Sequence, residues 1–135
     1  MSSLAWLAFL TAAAIGAPAR YLIDGVVVTR NSRRKIAKDH TDGAFPWGTL
    51  VVNVSGSFVL GAITGLGLYH ALDATTRTVL GTGGIGAYTT FSTFTFETVR
   101  LAEKGAIDAA LRNVALSFVA CLAAASTGLA LTALL

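Results

Sequence analysis

The sequence contains few charged residues and almost no cysteine or histidine. Only 13% of its 135 residues are charged and 54% are hydrophobic. A soluble domain of this length needs far more charge at its surface, so we predict that the chain is embedded in a membrane. The single cysteine, Cys121, excludes an intrachain disulfide and a cysteine-based metal site. The two histidines, His40 and His70, lie far apart, and their spacing does not indicate a transition-metal site.

The basic residues are clustered along the chain. A net charge of +3 can indicate a nucleic-acid partner. Here the first basic group lies between two apolar runs, which is typical of a loop at a membrane surface, and no nucleic-acid partner is predicted. The two groups are Arg30, Arg33, Arg34, Lys35 and Lys38, followed by Arg100, Lys104 and Arg112.

Four apolar segments are long enough to span a bilayer, whose hydrocarbon core of about 30 Å requires about 20 helical residues. They cover residues 4–28, 46–72, 76–99 and 106–135. We therefore predict an all-α membrane protein with four transmembrane helices, in which residues 1–135 form a single integral membrane domain. The first and third loops carry most of the basic residues, which places them in the cytoplasm and both termini outside. The expected location is the cell inner (plasma) membrane, as a multi-pass protein.

Polar side chains occur at four-residue intervals in two of the predicted spans, which places them on one face of each helix. The second span has Thr49, Asn53 and Ser57 in this pattern. Asn53 is the most informative of the three, because a primary amide at membrane depth needs partners for several donors and acceptors. The fourth span repeats the spacing with Asn113, Ser117 and Cys121.

The third predicted span is rich in glycine, with four glycines between positions 81 and 86. Glycine weakens a helix and permits irregular backbone. Lipid offers no partner to an exposed amide, so an interruption at membrane depth must be buried in protein or line a cavity. The same run matches the G-x-G-x-x-G spacing of a dinucleotide fold, but no βαβ unit surrounds it and we reject that interpretation. The sequence predicts a third helix that is broken at the bilayer midplane.

Hydroxyl and aromatic residues follow the glycines, and they favour an ion pathway. Phe91 and Phe94 are three residues apart, and Glu97 lies three residues further along. The edge of an aromatic ring carries partial positive charge, so it can meet an anion without trapping it as a full charge would. Ionisable residues inside spans are functional hypotheses by default, and Arg20 and Glu97 are the candidates for a vestibule or pore mouth.

Two other functions are compatible with four spans. A small proton-coupled multidrug exporter needs a carboxylate in the middle of a span, but residues 9–15 contain none and Glu97 lies near an end. A membrane assembly subunit without transport predicts packing residues only, and it leaves Asn53 and residues 89–94 unexplained. The sequence shows no base, nucleophile or metal cluster, so an enzyme is not expected.

Three segments of the chain resemble the CrcB/Fluc family of fluoride channels. They are residues 16–21 (GAPARY), 48–53 (GTLVVN) and 86–94 (GAYTTFSTF), and they occur in the order found in that family. The resemblance implies a fluoride-selective channel that exports fluoride passively and lowers its cytoplasmic concentration. It also implies an antiparallel (inverted) dimer with two pores and a structural sodium ion, which is not transported, at the interface.

The resemblance assigns roles to particular positions. The sodium ligands are the backbone carbonyls of Gly86 and Thr89. In the fourth helix, family members commonly have an aromatic residue followed by serines, and this chain departs from that pattern. Whether Asn113 and Cys121 line the pore therefore stays open, as does the choice between a homodimer and a heterodimer with an oppositely oriented paralogue. The fluoride pathway comprises Thr49, Asn53, Phe91, Phe94 and Ser117, with Arg20 and Glu97 near its mouths.

Overall fold

The computed structural model describes residues 1–35 and 45–135, with side chains at 1–30 and 45–135. Lys38 and His40 lie outside these ranges, as do the side chains of Arg33, Arg34 and Lys35. The described chain is helical throughout and contains no β-strand. Its elements are α1 (Ser3–Lys35), α2 (Trp47–Tyr69), α3 (Ala74–Arg77), a π-helical segment (Thr78–Ile85), α4 (Gly86–Tyr88), α5 (Ser92–Glu103) and α6 (Ile107–Thr132).

Three helices within the described ranges are long and apolar enough to cross a membrane. They are Ser3–Arg30, Trp47–Tyr69 and Ile107–Thr132, with mean hydropathies of 1.4, 1.7 and 2.1. At a rise of about 1.5 Å per residue, even the shortest is longer than the hydrocarbon core of a bilayer. The expectations of an all-helical chain and of a multi-pass membrane protein are confirmed. α1 contains Pro18 and continues to Lys35, beyond the boundary predicted at residue 28.

The third predicted span, residues 76–99, is not one continuous helix. A π-helical turn covers the glycine-rich stretch, and α4 then ends at Tyr88. Thr89 is extended, with φ −79° and ψ 164°, and α5 begins at Ser92. Single π-helical turns often occur at functional sites. The helical segments on either side of Thr89 are called the interrupted segment below, and they cover Thr78–Ile85, Gly86–Tyr88 and Ser92–Glu103.

Small residues bring α2 and α6 into close contact. Gly61 packs against the carbonyl of Ala125, and a Cβ at Gly61 would collide with that oxygen. Gly128 makes the reciprocal contact from α6, where a Cβ would collide with the carbonyl of Phe58. The backbones therefore approach as closely as small-xxx-small interfaces allow, which is the usual way for apolar helices to gain packing in lipid.

α1 packs against the interrupted segment through two further glycines. A Cβ at Gly16 would collide with the carbonyl of Gly84, and one at Gly83 would lie 3.0 Å from the Phe9 ring and from its carbonyl. The glycines thus serve close packing as well as backbone freedom. α1 and α2 together enclose the interrupted segment on two sides.

The α2–α6 contact leads to the first prediction. Gly128→Ala should lower the free energy of unfolding by about 1–3 kcal/mol, because the new methyl group must displace the Phe58 backbone. Thermal unfolding of the purified protein in detergent measures the change. Gly25→Ala in α1 is the matched control, because a Cβ there has no atom within 4 Å. Equal midpoints for the two variants would contradict the packing argument.

Candidate functional site

A side chain of α2 is hydrogen-bonded to the backbone at the helix interruption. The Asn53 amide nitrogen donates to the Thr90 carbonyl, and the Thr90 N–H donates to the Asn53 amide oxygen, both at 2.8 Å. A primary amide presents one acceptor and two donors, so it can pair with the N–H and C=O of one residue at once. Asn53 therefore satisfies both backbone groups of Thr90, which has left the helical conformation and is buried.

This pairing changes the partners of the preceding carbonyls. In a continuous α-helix the Thr90 N–H would donate to the carbonyl of Gly86. Because it donates to Asn53 instead, the Gly86 carbonyl lacks that donor. The Thr89 carbonyl faces Arg20, whose Nη1 lies 3.4 Å from it. The interruption thus leaves the Gly86 carbonyl without its helical donor, whereas the Thr89 carbonyl accepts a hydrogen bond from Arg20.

A second contact attaches the interrupted segment to α2. The Tyr88 hydroxyl lies 2.8 Å from the Ser55 hydroxyl, and Ser55 donates to the Val51 carbonyl at 2.8 Å. Ser55 has one hydroxyl proton, so Tyr88 is the donor in this pair. Gly56 provides the space for this contact, because a Cβ there would collide with the Thr89 methyl group.

The Thr90 side chain is also hydrogen-bonded to the first turn of α5. Its hydroxyl accepts from the Thr93 N–H at 3.2 Å and donates to the Thr93 hydroxyl at 3.0 Å. A threonine that accepts from the N–H three residues on is a typical helix cap. Thr90 is thus held by Asn53 through its backbone, while its side chain bonds Thr93 in the first turn of α5.

A groove of about 400 Å³ opens beside this cap. Its lining includes Ser57 of α2 and Cys121 of α6. The Phe91 and Phe94 rings lie 5.7 Å apart, centroid to centroid, at 44°, and the Phe91 side chain is 76% exposed. The structure therefore brings five predicted pathway or ion-site residues to one surface: Asn53, Thr89, Phe91, Phe94 and Ser117.

The remaining predicted residues lie elsewhere. Arg20 and Thr49 line a smaller cavity of about 160 Å³, together with Asp24 and Thr90. The Thr49 side chain lies next to the half-buried Glu97 carboxylate. The second oxygen of Glu97, Oε2, is buried and accepts no hydrogen bond from any residue that the structure describes.

Sequence reasoning did not identify the roles of Ser55, Tyr88 and Thr90. The Thr90–Thr93 spacing is a helix-start signal and could have indicated the cap. Nothing in the sequence pairs Ser55 with Tyr88, because the two residues are 33 positions apart and belong to different helices. Asn113, left open above, is buried and does not line the groove.

The Asn53–Thr90 pair leads to the second prediction. Asn53→Ala removes both hydrogen bonds, and each lost partner of a buried group costs about 1–3 kcal/mol. Amide hydrogen exchange at Thr90 should therefore become about tenfold faster or more, since about 1.4 kcal/mol changes an equilibrium constant tenfold. Ser57→Ala is the control, because Ser57 lines the same groove one turn further along α2. Unchanged exchange at Thr90 in Asn53→Ala would show that the pair does not hold the interruption.

Comparison with known proteins identifies the family. The family model for "CrcB-like protein, Camphor Resistance (CrcB)" matches residues 7–129. The chain is 46% identical over 130 residues to fluoride-specific ion channel FluC 1 of Leifsonia xyli, covering 96% of this chain and 87% of that protein. It is 45% identical over 131 residues to FluC 1 of Frankia casuarinae, covering 93% and 94%. It is 40% identical over 123 residues to FluC 2 of Mycobacterium tuberculosis, covering 91% and 86%. The chain belongs to the CrcB family.

Proposed function

We propose that this protein is a fluoride-selective channel that exports fluoride passively across the cell inner membrane. The observation that carries the proposal is the groove, in which two phenylalanine rings, hydroxyl groups and the Asn53 amide converge. Relatives at 40–46% identity are named fluoride-specific ion channels. A family of ion channels is not enzymatic, so the protein is not an enzyme. The multidrug exporter is not favoured, because these relatives are named as channels.

The groove has the chemistry that a fluoride pathway requires. Fluoride holds its water strongly, so removing that water is costly unless other donors replace it. The Ser117 hydroxyl, the second N–H of the Asn53 amide and the edges of Phe91 and Phe94 can act as such donors. The residues that line the groove include no charged side chain. A neutral wall favours passage, because conduction requires binding weak enough to release the ion.

The cavity beside Arg20 fits a vestibule at the mouth of this pathway. Arg20 supplies positive charge that can attract an anion, and the Asp24 carboxylate lines the same cavity and offsets part of that charge. Charge near an entrance raises the local concentration of a counter-ion without occupying the narrow part of the path. We assign Arg20, Thr49 and Glu97 to this entrance.

In addition to the three long apolar helices, the interrupted segment forms a transmembrane span, which is the third of four in chain order. Its break lies at membrane depth. Backbone that leaves the helix within lipid must be satisfied by protein, and Asn53 supplies both partners of Thr90. In this proposal the chain has four spans, and α2 carries the hydrogen bonds that allow the break.

The Gly86 carbonyl fits a structural sodium ion, and the Thr89 carbonyl, which accepts one hydrogen bond from Arg20, keeps a second lone pair for it. Hard cations prefer oxygen ligands such as backbone carbonyls, and the Gly86 carbonyl has lost its usual helical donor to Asn53. A bound sodium ion would supply positive charge near the groove without being transported.

An antiparallel dimer would complete this site. Phe91 is 76% exposed beside the open groove, and an apolar ring in this position requires a cover of lipid or protein. A second, inverted copy would cover it and bring a second set of carbonyls to the interface. We propose the homodimer, with the heterodimer of opposed paralogues as the alternative outcome of the topology test below.

The third prediction concerns transport. Liposomes containing the purified protein should release fluoride and retain chloride when a potassium ionophore balances the charge. Phe94→Ala should reduce fluoride efflux at least tenfold, because it removes one ring from the groove. A fluoride-selective electrode follows the release.

Phe96→Ala is the matched control, because Phe96 is on α5 but does not line the groove. Replacing sodium by a large organic cation during purification tests the ion site, and it should reduce efflux and the dimer fraction together. The absence of fluoride efflux from folded wild-type dimers would defeat the channel function. Wild-type efflux in Phe94→Ala would remove this ring from the pathway.

The fourth prediction concerns topology. In a Cys121→Ser background, Ser2→Cys and Glu103→Cys place single thiols at exposed positions outside the spans. An antiparallel homodimer requires each thiol to react with a membrane-impermeant maleimide from both sides of the membrane. Reaction of Ser2→Cys from one side only, and of Glu103→Cys from the other, would reject the homodimer and assign an oppositely oriented paralogue as partner.

A further inference from the structure

Asn113 occupies a different position from the other polar residues of α6. It precedes Ser117 by four residues, so spacing alone groups it with Ser117 and Cys121. Ser117 and Cys121 line the groove, but Asn113 does not. Its side chain is 1% exposed and is one of the two largest side chains that are fully buried in the described residues. Asn113 therefore faces α5 rather than the groove.

Asn113 is connected to the backbone of Phe94 through one intervening residue. Its amide nitrogen donates to the Thr98 hydroxyl oxygen at 2.8 Å, and the Thr98 hydroxyl donates to the Phe94 carbonyl at 2.8 Å. Threonine has one hydroxyl proton and can accept as well as donate, so both bonds exist at once. The two bonds form a relay from α6 to the residue whose ring lines the groove.

The surroundings of Asn113 make this relay specific. Asn113 is one turn along α6 from Ala109 and Ala110, which form a buried apolar cluster with Leu101 of α5. A cluster of alanine and leucine side chains offers no alternative partner to the amide, and buried polar groups are nearly always hydrogen-bonded. Thr98 is thus the partner that determines how α5 and α6 align at this level.

The alignment matters because Phe94 reaches the groove only in one rotation of α5. Successive residues of an α-helix are about 100° apart, so a small rotation of α5 moves the ring off the wall. The Thr90 cap holds the start of α5. The hydrogen bond between Asn113 and Thr98 fixes α5 at a second point, one turn after Phe94.

We propose that Asn113 is a positioning residue for Phe94, which sets the ring against the groove without touching the anion. This inference rests on the proposed channel function. It adds to the Thr90 hydrogen bonds a second contact that fixes the position of the Phe94 ring in the groove. In this chain an asparagine stands where the family commonly has an aromatic residue, and the buried relay gives that asparagine a role away from the pathway.

The test is the unitary fluoride current of purified dimers in planar bilayers, because the current through one channel does not depend on how many channels fold. Asn113→Leu removes the donor at similar volume, and Thr98→Val removes the hydroxyl. Each should lower the unitary current about fivefold, and the double variant should lower it no further, because both changes break one relay. Thr98→Ser keeps the hydroxyl and should conduct like the wild type.

Thr127→Val is the matched control for the loss of a hydroxyl. The Thr127 hydroxyl donates to the Ala123 carbonyl within α6 at 2.8 Å, at an exposed position. This variant should leave the unitary current unchanged. Fewer folded dimers with an unchanged unitary current in Asn113→Leu would show a purely structural role. Effects of Asn113→Leu and Thr98→Val that multiply in the double variant would show that Asn113 acts independently of Thr98, and both results would overturn the proposal.

A second measurement separates this inference from the channel function itself. Amide exchange across residues 94–98 reports the α5 backbone whether or not ions flow. Faster exchange in Asn113→Leu, together with no fluoride current in the wild type, would reject the proposed function and keep the positioning role. Unchanged exchange together with an unchanged current in Asn113→Leu would reject the positioning role alone.

Discussion

The paired hydrogen bonds between Asn53 and Thr90 are the interaction on which the rest of the site depends. A chain in lipid has no water to satisfy its backbone, so each N–H and C=O that leaves a helix must find a partner in the protein. Asn53 supplies a donor and an acceptor at 2.8 Å each. It holds the backbone of Thr90 between α4 and α5, and the Thr90 hydroxyl bonds the first turn of α5. It also removes the helical donor from the Gly86 carbonyl. One neutral side chain thereby makes an irregular backbone possible where a charged one would be costly to bury.

Close packing by glycine gives this pair its geometry. Gly56 is three residues along α2 from Asn53, and a Cβ at that position would collide with the Thr89 methyl group. The backbone of the interruption can therefore approach α2 closely enough for the amide of Asn53 to reach Thr90. On the other side, Gly16 allows α1 to meet the carbonyl of Gly84. The interruption is thus confined between two helices, and Tyr88 adds a side-chain tether to Ser55.

Much of the fold could be predicted from the sequence, because length and apolar composition decide whether a helix can cross a membrane. The placing of Asn53 and Ser117 on one pathway came from the family resemblance, and both residues line the groove. Spacing shows which residues share a face, but it does not show what packs on that face. Residues four apart differ by about 40° around a helix. That difference, together with the cover that α5 provides, separates buried Asn113 from groove-lining Ser117. Contacts between distant positions, such as Tyr88 with Ser55, leave no local pattern in a single sequence.

The distribution of charge follows from the same constraint. The groove is lined by neutral residues, whereas Arg20 and Asp24 line the smaller cavity on the far side of Thr90. Thr90 lines both, so the residue that Asn53 holds also forms the wall between the charged cavity and the neutral groove. A charge inside the groove would bind an anion too strongly to release it, and a charge far away would not attract it. In the proposed channel, Arg20 beside the neutral path would attract an anion at the entrance, and binding beyond it would be weak. In that proposal, the backbone interruption that Asn53 supports would also separate the entrance that attracts the anion from the neutral path that it crosses.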